Sequence, residues 1–450
     1  MSEAESGRSS SAAAAARQPL SHDPGQGAGV PARRRVLTRS SVFGWAMYDW
    51  ANSSFSTTVM AGFFPLFFKQ YWSAGSVATE STFRLGLANG VASFIVALLA
   101  PLIGAIADKG GARVKLLGLF TVLGTTATTA LYLVGKGDWV TAAVLYVTAS
   151  LGFWGGNQFY DSLLTDVSDV PEYDLVSGYG FALGYLGGGL LFALNVLMVT
   201  KPGSFGLANA GEGVRWSFVS VGAWWMLFTL FTLTLVRERR TNQPLPALAA
   251  IGAGLRELGG TLRHLRHDRV LLWFLLAYWF YIDGVNTIIK MSVDYGLSLG
   301  LKQNSLITAL LVVQFVGFPA ALAFGWLGQK LGPRTGILLG IAVYAGIAGY
   351  AYFLHTEAQF MTMAIVIGLV QGGVQSLSRS LFGRLVPPGK AGEFFGFYNL
   401  MGKAAAILGP TLTGVVALLS HDSRLAILSI TVLFVLGAAF LLKVPLETRA

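Results

Sequence analysis

The chain has 450 residues and no cysteine. Disulfide frameworks, Cys-ligated zinc and thiol catalysis are therefore excluded. Charge is also scarce. Asp, Glu, Lys and Arg make up 12% of the chain, against about 25% in an ordinary soluble protein. A soluble fold of this length needs more charge than that to cover its surface. The five histidines (His22, His264, His267, His355 and His421) all fall in a tail or between apolar runs, so no metal cluster or histidine relay is expected. No phosphate loop is visible. The glycines of YLGGGL, Tyr185 to Leu190, sit inside an apolar run with no Lys-Ser/Thr after them, and close helix packing accounts for them. Nucleophile elbows and triad spacings are missing too, so neither an enzyme nor a bound cofactor is expected.

What the chain holds instead is apolar sequence. Hydrophobic residues account for 54% of it and glycine for 56 positions. Twelve apolar runs follow one another, each near the ~20 residues that cross a bilayer. They are Phe43–Phe68, Leu85–Ala107, Leu116–Val134, Val140–Leu164, Gly178–Val199, Trp216–Val236, Val270–Ile289, Ser305–Leu327, Gly336–Leu354, Gln359–Leu381, Phe394–Leu419 and Leu425–Leu442. The fold class expected is an all-α polytopic membrane protein. Residues 1–40 read as a disordered tail, 41–236 as one six-helix bundle, 237–269 as a linker, 270–444 as a second bundle and 445–450 as a short tail. Within the linker, Ile251–Leu265 reads equally well as an amphipathic helix on the membrane surface or as a solvated helix. Of the 32 Lys and Arg, 23 fall on the side of the termini, 8 on the other side, and Lys403 inside a run. That bias puts both termini in the cytoplasm. The formal charge of +10 is then a topology signal, and nucleic acid is not needed to explain it. A monomer in the inner cell membrane is expected, or in a vacuolar membrane for a eukaryotic chain.

The two halves repeat. WAMYDWANSSFSTT (Trp45 to Thr58) returns 234 positions later in YWFYIDGVNTIIK (Tyr278 to Lys290). Asp49 and Asn52 then match Asp283 and Asn286. GAIADKGGARVK (Gly104 to Lys115) returns 221 positions later as GWLGQKLGPRTG (Gly325 to Gly336), with Gln329 where the first copy has Asp108. GYGFALGYLGGG (Gly178 to Gly189) returns at an offset of 218 as GFYNLMGKAAAI (Gly396 to Ile407). The first offset exceeds the second by 13, which a longer outer loop at Tyr71–Phe83 would absorb. Two parallel six-helix halves are a transporter architecture, with the site at the midplane between them.

Polar residues inside the runs are the candidates for that site. A carboxylate at the centre of a membrane helix costs roughly 2.5–3.5 kcal/mol on insertion scales. Asp49 and Asp283 carry that cost. Each is expected to carry a proton or bind a substrate ammonium group, unless it merely ties neighbouring helices together. Asn52 and Asn286 lie one turn on, on the same face. The fourth run holds Asn157, Gln158, Tyr160 and Asp161; the tenth holds Gln371, Gln375, Ser376, Ser378 and Arg379. At offset 218 Asp161 meets Arg379 and Asp166 meets Arg384, so polarity is inverted between halves. Asp161 and Arg379 are expected either to gate the inner end of a cavity or simply to neutralise each other. Lys403 follows Tyr398 and Asn399 about 13.5 Å into its helix, too deep to snorkel with ease. It is expected to pair with Asp283 or Asp49 or to hold a substrate carboxylate, whereas Lys290 snorkels. Asp166, Asp169, Glu172 and Asp174 lack calcium-loop spacing and read as a solvated loop.

The Gly104–Lys115 segment resembles the loop signature of the major facilitator superfamily, G-x-L-A-D-R-x-G-R-R, with Ile106 for the Leu and Ala112 for the first Arg. YDWANSSFSTTV, SGYGFALGYLGGGLL, FYIDGVNTI and the block Gln371 to Pro410 are more specific. They resemble the vacuole-effluxer family, the autophagy-related amino-acid effluxers of fungi and their bacterial relatives, over Trp45 to Leu442. The resemblance implies twelve helices in two six-helix pseudo-repeats, with the first and seventh helices facing a central cavity. It also implies a secondary transporter, in the fungal branch an effluxer of amino acids. The partners expected are an amino-acid-like solute, protons and the bilayer. A lipid or lysolipid translocator and a non-transporting sensor or scaffold are the alternatives. Asp108, with Arg113 nearby, is expected to sit at the positive N-terminus of the eleventh helix near Gly392–Phe394 and lock one face. Gln329 cannot do so with a charge, so the lock is expected to be one-sided.

Overall fold

The computed structural model describes residues 36–76, 78–239, 245, 249–253, 256, 260, 268–405 and 408–445. The N-terminal tail to residue 35, most of the linker and residues 446–450 lie outside the described residues, as does most of the proposed surface helix Ile251–Leu265. Helix α1 begins as Ser40–Ser54 and continues without a break through π-helical Phe55–Phe63, α-helical Phe64–Phe67 and π-helical Phe68–Trp72. After it come α2 (Ala78–Gly110), α3 (Arg113–Ala130), α4 (Trp139–Ser162), α5 (Tyr173–Thr200) and α6 (Ala210–Leu235). The second half holds α7 (Arg269–Ser298), α8 (Gln303–Leu331), α9 (Pro333–Tyr352) and α10 (Glu357–Leu385). It ends with α11 (Ala391–Ala404, then Leu408–Ser420) and α12 (Ser423–Ser429, then Thr431–Leu441). Among the described residues eleven helices are long and apolar enough to cross a membrane; α1, divided between α and π geometry, makes the twelfth.

Most helices begin before their apolar runs, and polar side chains cap several of them. Thr356 and Gln359 form a reciprocal capping box at the start of α10, and Asp138 and Asn209 cap α4 and α6. Such caps satisfy backbone donors that have no partner within the helix. The expected loop at Tyr71–Phe83 is a correction. Only residues 73–77 separate α1 from α2, against 299–302 between α7 and α8. Trp72 lies 23 positions past Asp49, whereas Ser298 lies 15 past Asp283. Eight of the thirteen extra residues are thus helix at the end of α1, where wider π turns take up length without unwinding the rod. Four more extend the start of α2, and one enlarges the turn.

Each half has its own apolar interior. Phe55, Phe64, Trp72, Phe218 and Trp225 centre one cluster in the first half, and Trp45, Tyr48, Phe159 and Tyr160 a second. Phe274, Tyr281, Tyr344, Phe382 and Phe434 anchor the second half. Large apolar side chains such as Phe83, Phe94, Leu98, Leu418 and Leu419 point outward. Lipid is as apolar as leucine, so small residues that let backbones approach are what bring membrane helices together.

That is how the halves meet. α2 crosses α11 where a Cβ on Gly104 would sit 2.1 Å from the Gly392 carbonyl, and one on Gly396 would sit 2.7 Å from that of Ala100. α5 crosses α8 where a Cβ on Gly178 would sit 2.8 Å from the Ala321 carbonyl and 2.9 Å from Gly325 Cα. The glycines matched between halves by sequence offset are therefore the crossing points of the two bundles. Both crossings lie toward the end of the molecule that carries the Gly104–Lys115 segment, hereafter the signature face. There, Gly111 and Gly332 turn the chain with φ of 56° and 81°, a left-handed conformation that glycine adopts without strain.

Candidate functional site

A buried charge cluster lies between the halves, about two helical turns in from the signature face. α1 supplies Asp49, α4 supplies Tyr160 and Asp161, α5 supplies Ser177, and α10 supplies Arg379. The Arg379 side chain is 2% exposed. Its Nη1 lies 3.1 Å from Asp161 Oδ1 and 3.9 Å from Asp49 Oδ2. Its Nε donates to Ser177 Oγ at 2.9 Å and its Nη2 to the Ser177 carbonyl at 2.9 Å. The guanidinium plane also packs on the rings of Phe181, Trp45 and Tyr160 at 4.4, 4.8 and 4.9 Å. A charge taken out of water must be both paired and hydrogen-bonded, and the fixed fork of Arg does this with three helices at once, α1, α4 and α5.

Asp49 has a second partner, the Tyr160 hydroxyl, which donates to Oδ2 at 3.0 Å. Tyr160 is held in turn by Trp45, whose ring stacks on it at 4.5 Å and whose Nε1 donates to the Tyr160 carbonyl at 2.7 Å. The two carboxylates are less enclosed than the guanidinium: the side chains of Asp49 and Asp161 are 12% and 14% exposed. One positive and two negative groups share the cluster.

One turn toward the opposite face, Asn52 donates its amide to the Asn157 side chain. A further turn along, the Lys403 ammonium lies over the Trp154 ring. Asn399, one turn before Lys403, donates to the Phe395 carbonyl at 3.0 Å. Gln158 is fully inside. Its Nε2 donates to the carbonyls of Ala100 (2.6 Å) and Gly392 (3.2 Å), so it ties α4 to the α2–α11 crossing. Gln375 and Asn286 are both half-buried.

Asp283 has different surroundings from its repeat-mate Asp49. It is fully buried and accepts the Gly409 backbone N–H at 2.7 Å, with Thr287 donating at 3.5 Å. These contacts stay within the second half, at the start of the Leu408–Ser420 segment of α11. Asp49 instead faces a cation from the other half.

Nearer the surface, Asp108 accepts the backbone N–H groups of Gly392 and Glu393, both at 2.9 Å, at the N-terminus of α11. Arg113 sits behind it, 3.6 Å from Asp108 and 2.9 Å from Asp166, with Glu238 at 3.6 Å. The pseudo-symmetric side is held by another device. Arg384 of α10 pairs with Asp174 of α5 at 2.7 Å, and the Ser380 hydroxyl donates to the same carboxylate. Among the described residues Gln329 donates to the Pro171 carbonyl alone, at 3.5 Å. Gln329 makes no charged contact there, and the α5–α10 side carries the Arg384–Asp174 ion pair instead, so polar bridges join the halves on both sides. The acidic stretch is corrected. Asp166 and Asp174 are 7% and 2% exposed and form ion pairs, and Asp169 alone of the four carboxylates is well exposed. Ser177 carries no signal in the sequence, since a serine beside a glycine in an apolar run is ordinary.

Comparison with known proteins agrees with this architecture. The family described as vacuole effluxer Atg22 like matches residues 71–173 and 165–449. An uncharacterized MFS-type transporter of Bacillus subtilis, YxiO, is 39% identical over 411 residues, covering 90% of this chain and 94% of its own. Autophagy-related protein 22 of Eremothecium gossypii is 22% identical over 86% of this chain and 87% of its own. The proton:xylose symporter XylE superposes with a TM-score of 0.67 at 14% identity, covering 92% of this chain and 96% of its own, a likeness of fold. This chain belongs to the vacuole effluxer Atg22-like family, as a multi-pass membrane transporter with the major facilitator fold and not an enzyme.

Proposed function

We propose that the protein is a proton-coupled secondary transporter of amino-acid-like solutes that works by alternating access, with the signature face in the cytoplasm. One observation carries this reading: two partly exposed carboxylates, Asp49 and Asp161, share a single enclosed guanidinium, Arg379. One negative charge is left over in a low-dielectric site, where an unbalanced charge is costly. A proton or the ammonium group of a solute balances it. Asn52 and Asn157 offer neutral hydrogen bonds one turn away, and Lys403 over Trp154 offers a cation for a solute carboxylate. In this reading Asp283 positions the second segment of α11, and Asn286, Gln158, Gln375 and Asn399 shape the walls. Asp108 and Arg113 hold the cytoplasmic side shut. The matching family is described as vacuole effluxer Atg22 like, and the fungal relative is named autophagy-related protein 22, which favours efflux of a solute.

The test uses purified protein in liposomes loaded with a pH-sensitive dye and exposed in turn to single amino acids. At least one amino acid drives proton movement through the unaltered protein, and Asp49→Asn and Asp161→Asn each abolish it. Full amino-acid-driven proton movement in both variants would remove the basis of the proposal. Movement of a fluorescent lysolipid, with no response to any amino acid, would support the lipid translocator instead.

A further inference from the structure

We infer that Ser177 is the positioning residue through which loading of the charge cluster releases the signature face. The inference rests on the reading of that cluster as the loading site. The first turns of α5 are gripped by α10 at several points. Arg379 holds the hydroxyl and the carbonyl of Ser177. The Ser177 hydroxyl in turn donates to the Ser376 carbonyl at 2.7 Å. One turn nearer the surface, Arg384 and Ser380 hold Asp174. Ser177 is fully buried, so no water substitutes for these bonds.

Arg379 therefore faces two ways. Nη1 reads the carboxylates, while Nε and Nη2 hold α5. When a proton or an ammonium group takes over Asp161, the guanidinium loses its 3.1 Å partner and keeps only Asp49, at 3.9 Å, in an enclosed, apolar setting. A buried charge that loses its close partner is disfavoured, so Arg379 turns away from α5 toward Asp49. The two bonds to Ser177 break as it leaves, and α5 is freed from α10. Occupancy is thus converted into loosening of the α5–α10 contact. The α2–α11 crossing, closed by Asp108 on a helix N-terminus, is tied instead to α4, through Gln158.

The experiment needs no solute, because Asp161→Asn imitates a neutralised site. The chain is cysteine-free, so nitroxide labels attach only to the introduced pair Val170→Cys and Pro388→Cys, both exposed, just before α5 and beyond the end of α10. Pulsed electron-spin resonance then gives the distance distribution in otherwise unaltered protein. Asp161→Asn is expected to raise the ratio of long to short distances by about 5- to 150-fold, the usual range of coupling between sites. Ser177→Ala raises the ratio by itself, and adding Asp161→Asn to it changes nothing further. Ser177→Thr, which keeps the hydroxyl, restores both the short distance and the response. A merely structural serine would leave the two effects additive, and additivity overturns the inference. So does an unchanged distribution in Asp161→Asn. If Ser177→Ala does not fold, Arg379→Lys replaces it: it keeps a cation beside the acids without the fork that reaches α5, and the same loss of response is expected. A relay that operates in a protein that moves no protons in liposomes would sink only the coupled-transport reading.

Discussion

Tyr160 shows how much rests on a single oxygen atom. Its ring is fixed by stacking on Trp45 and its carbonyl by the Trp45 indole, and its hydroxyl alone reaches Asp49. Tyr160→Phe keeps the packing and removes one hydrogen bond to a charged group, worth about 1.5–3 kcal/mol. Transport is expected to fall about tenfold or more, while the melting temperature moves by only a few degrees. Flux in liposomes and a melting curve on the same preparation check both halves of that expectation. The charged members of the site were legible in the sequence because an Asp, Arg or Lys in an apolar run stands out by its insertion cost. Tyr160 and Ser177 were not legible as partners. Their residue types are unremarkable in a helix, and their importance lies in which neighbour the fold brings alongside. Asp49 and Asp283 look equivalent in sequence, yet one meets a guanidinium and the other a backbone N–H. Repeat symmetry places a residue on a helix but leaves open what stands opposite.

At the scale of elements, the paired glycines do what their offsets imply and the extra residues do not. Gly104, Gly325, Gly178 and Gly396 were found by aligning the halves, and they form the two crossings. The thirteen additional residues, which the offsets alone suggest as a longer outer loop, fold mostly as helix. Lys69, Gln70 and Tyr71 lie in the π-helical last turn of α1. The crossings have a consequence for closure. A side chain at residue 178 collides with backbone of α8, which cannot swing aside as a flexible side chain does. Gly178→Val is therefore expected to hold α5 away from α8 and keep the signature face open. The buried Ser376, replaced by cysteine as a reporter, should react with a water-soluble maleimide in the Gly178→Val protein and resist it when Gly178 is present. Resistance in both would show that the crossing does not govern closure.

For the whole molecule, twelve helices and two halves were legible because a bilayer fixes the length and apolarity of every span. The orientation proposed above rests on the excess of Lys and Arg on the side of the termini. Single cysteines on the cysteine-free background test it directly. In intact cells an impermeant maleimide is expected to label a cysteine replacing Lys136 or Ser204, and to reach one replacing Pro388 only after the membrane is permeabilised. The reverse pattern would invert the molecule and with it the direction of every proposed step.

The Asp161–Arg379 bridge also bears on how such a chain arose. The two residues occupy equivalent positions, 218 apart, and they touch. In a symmetric dimer of identical six-helix chains, a residue that meets its own counterpart does so across the two-fold axis. That contact would set carboxylate against carboxylate, or guanidinium against guanidinium, about 3 Å apart in a medium that amplifies repulsion. Opposite charges at equivalent positions require two copies that mutate independently. This bridge is open to a duplicated and fused gene and closed to any homodimeric ancestor.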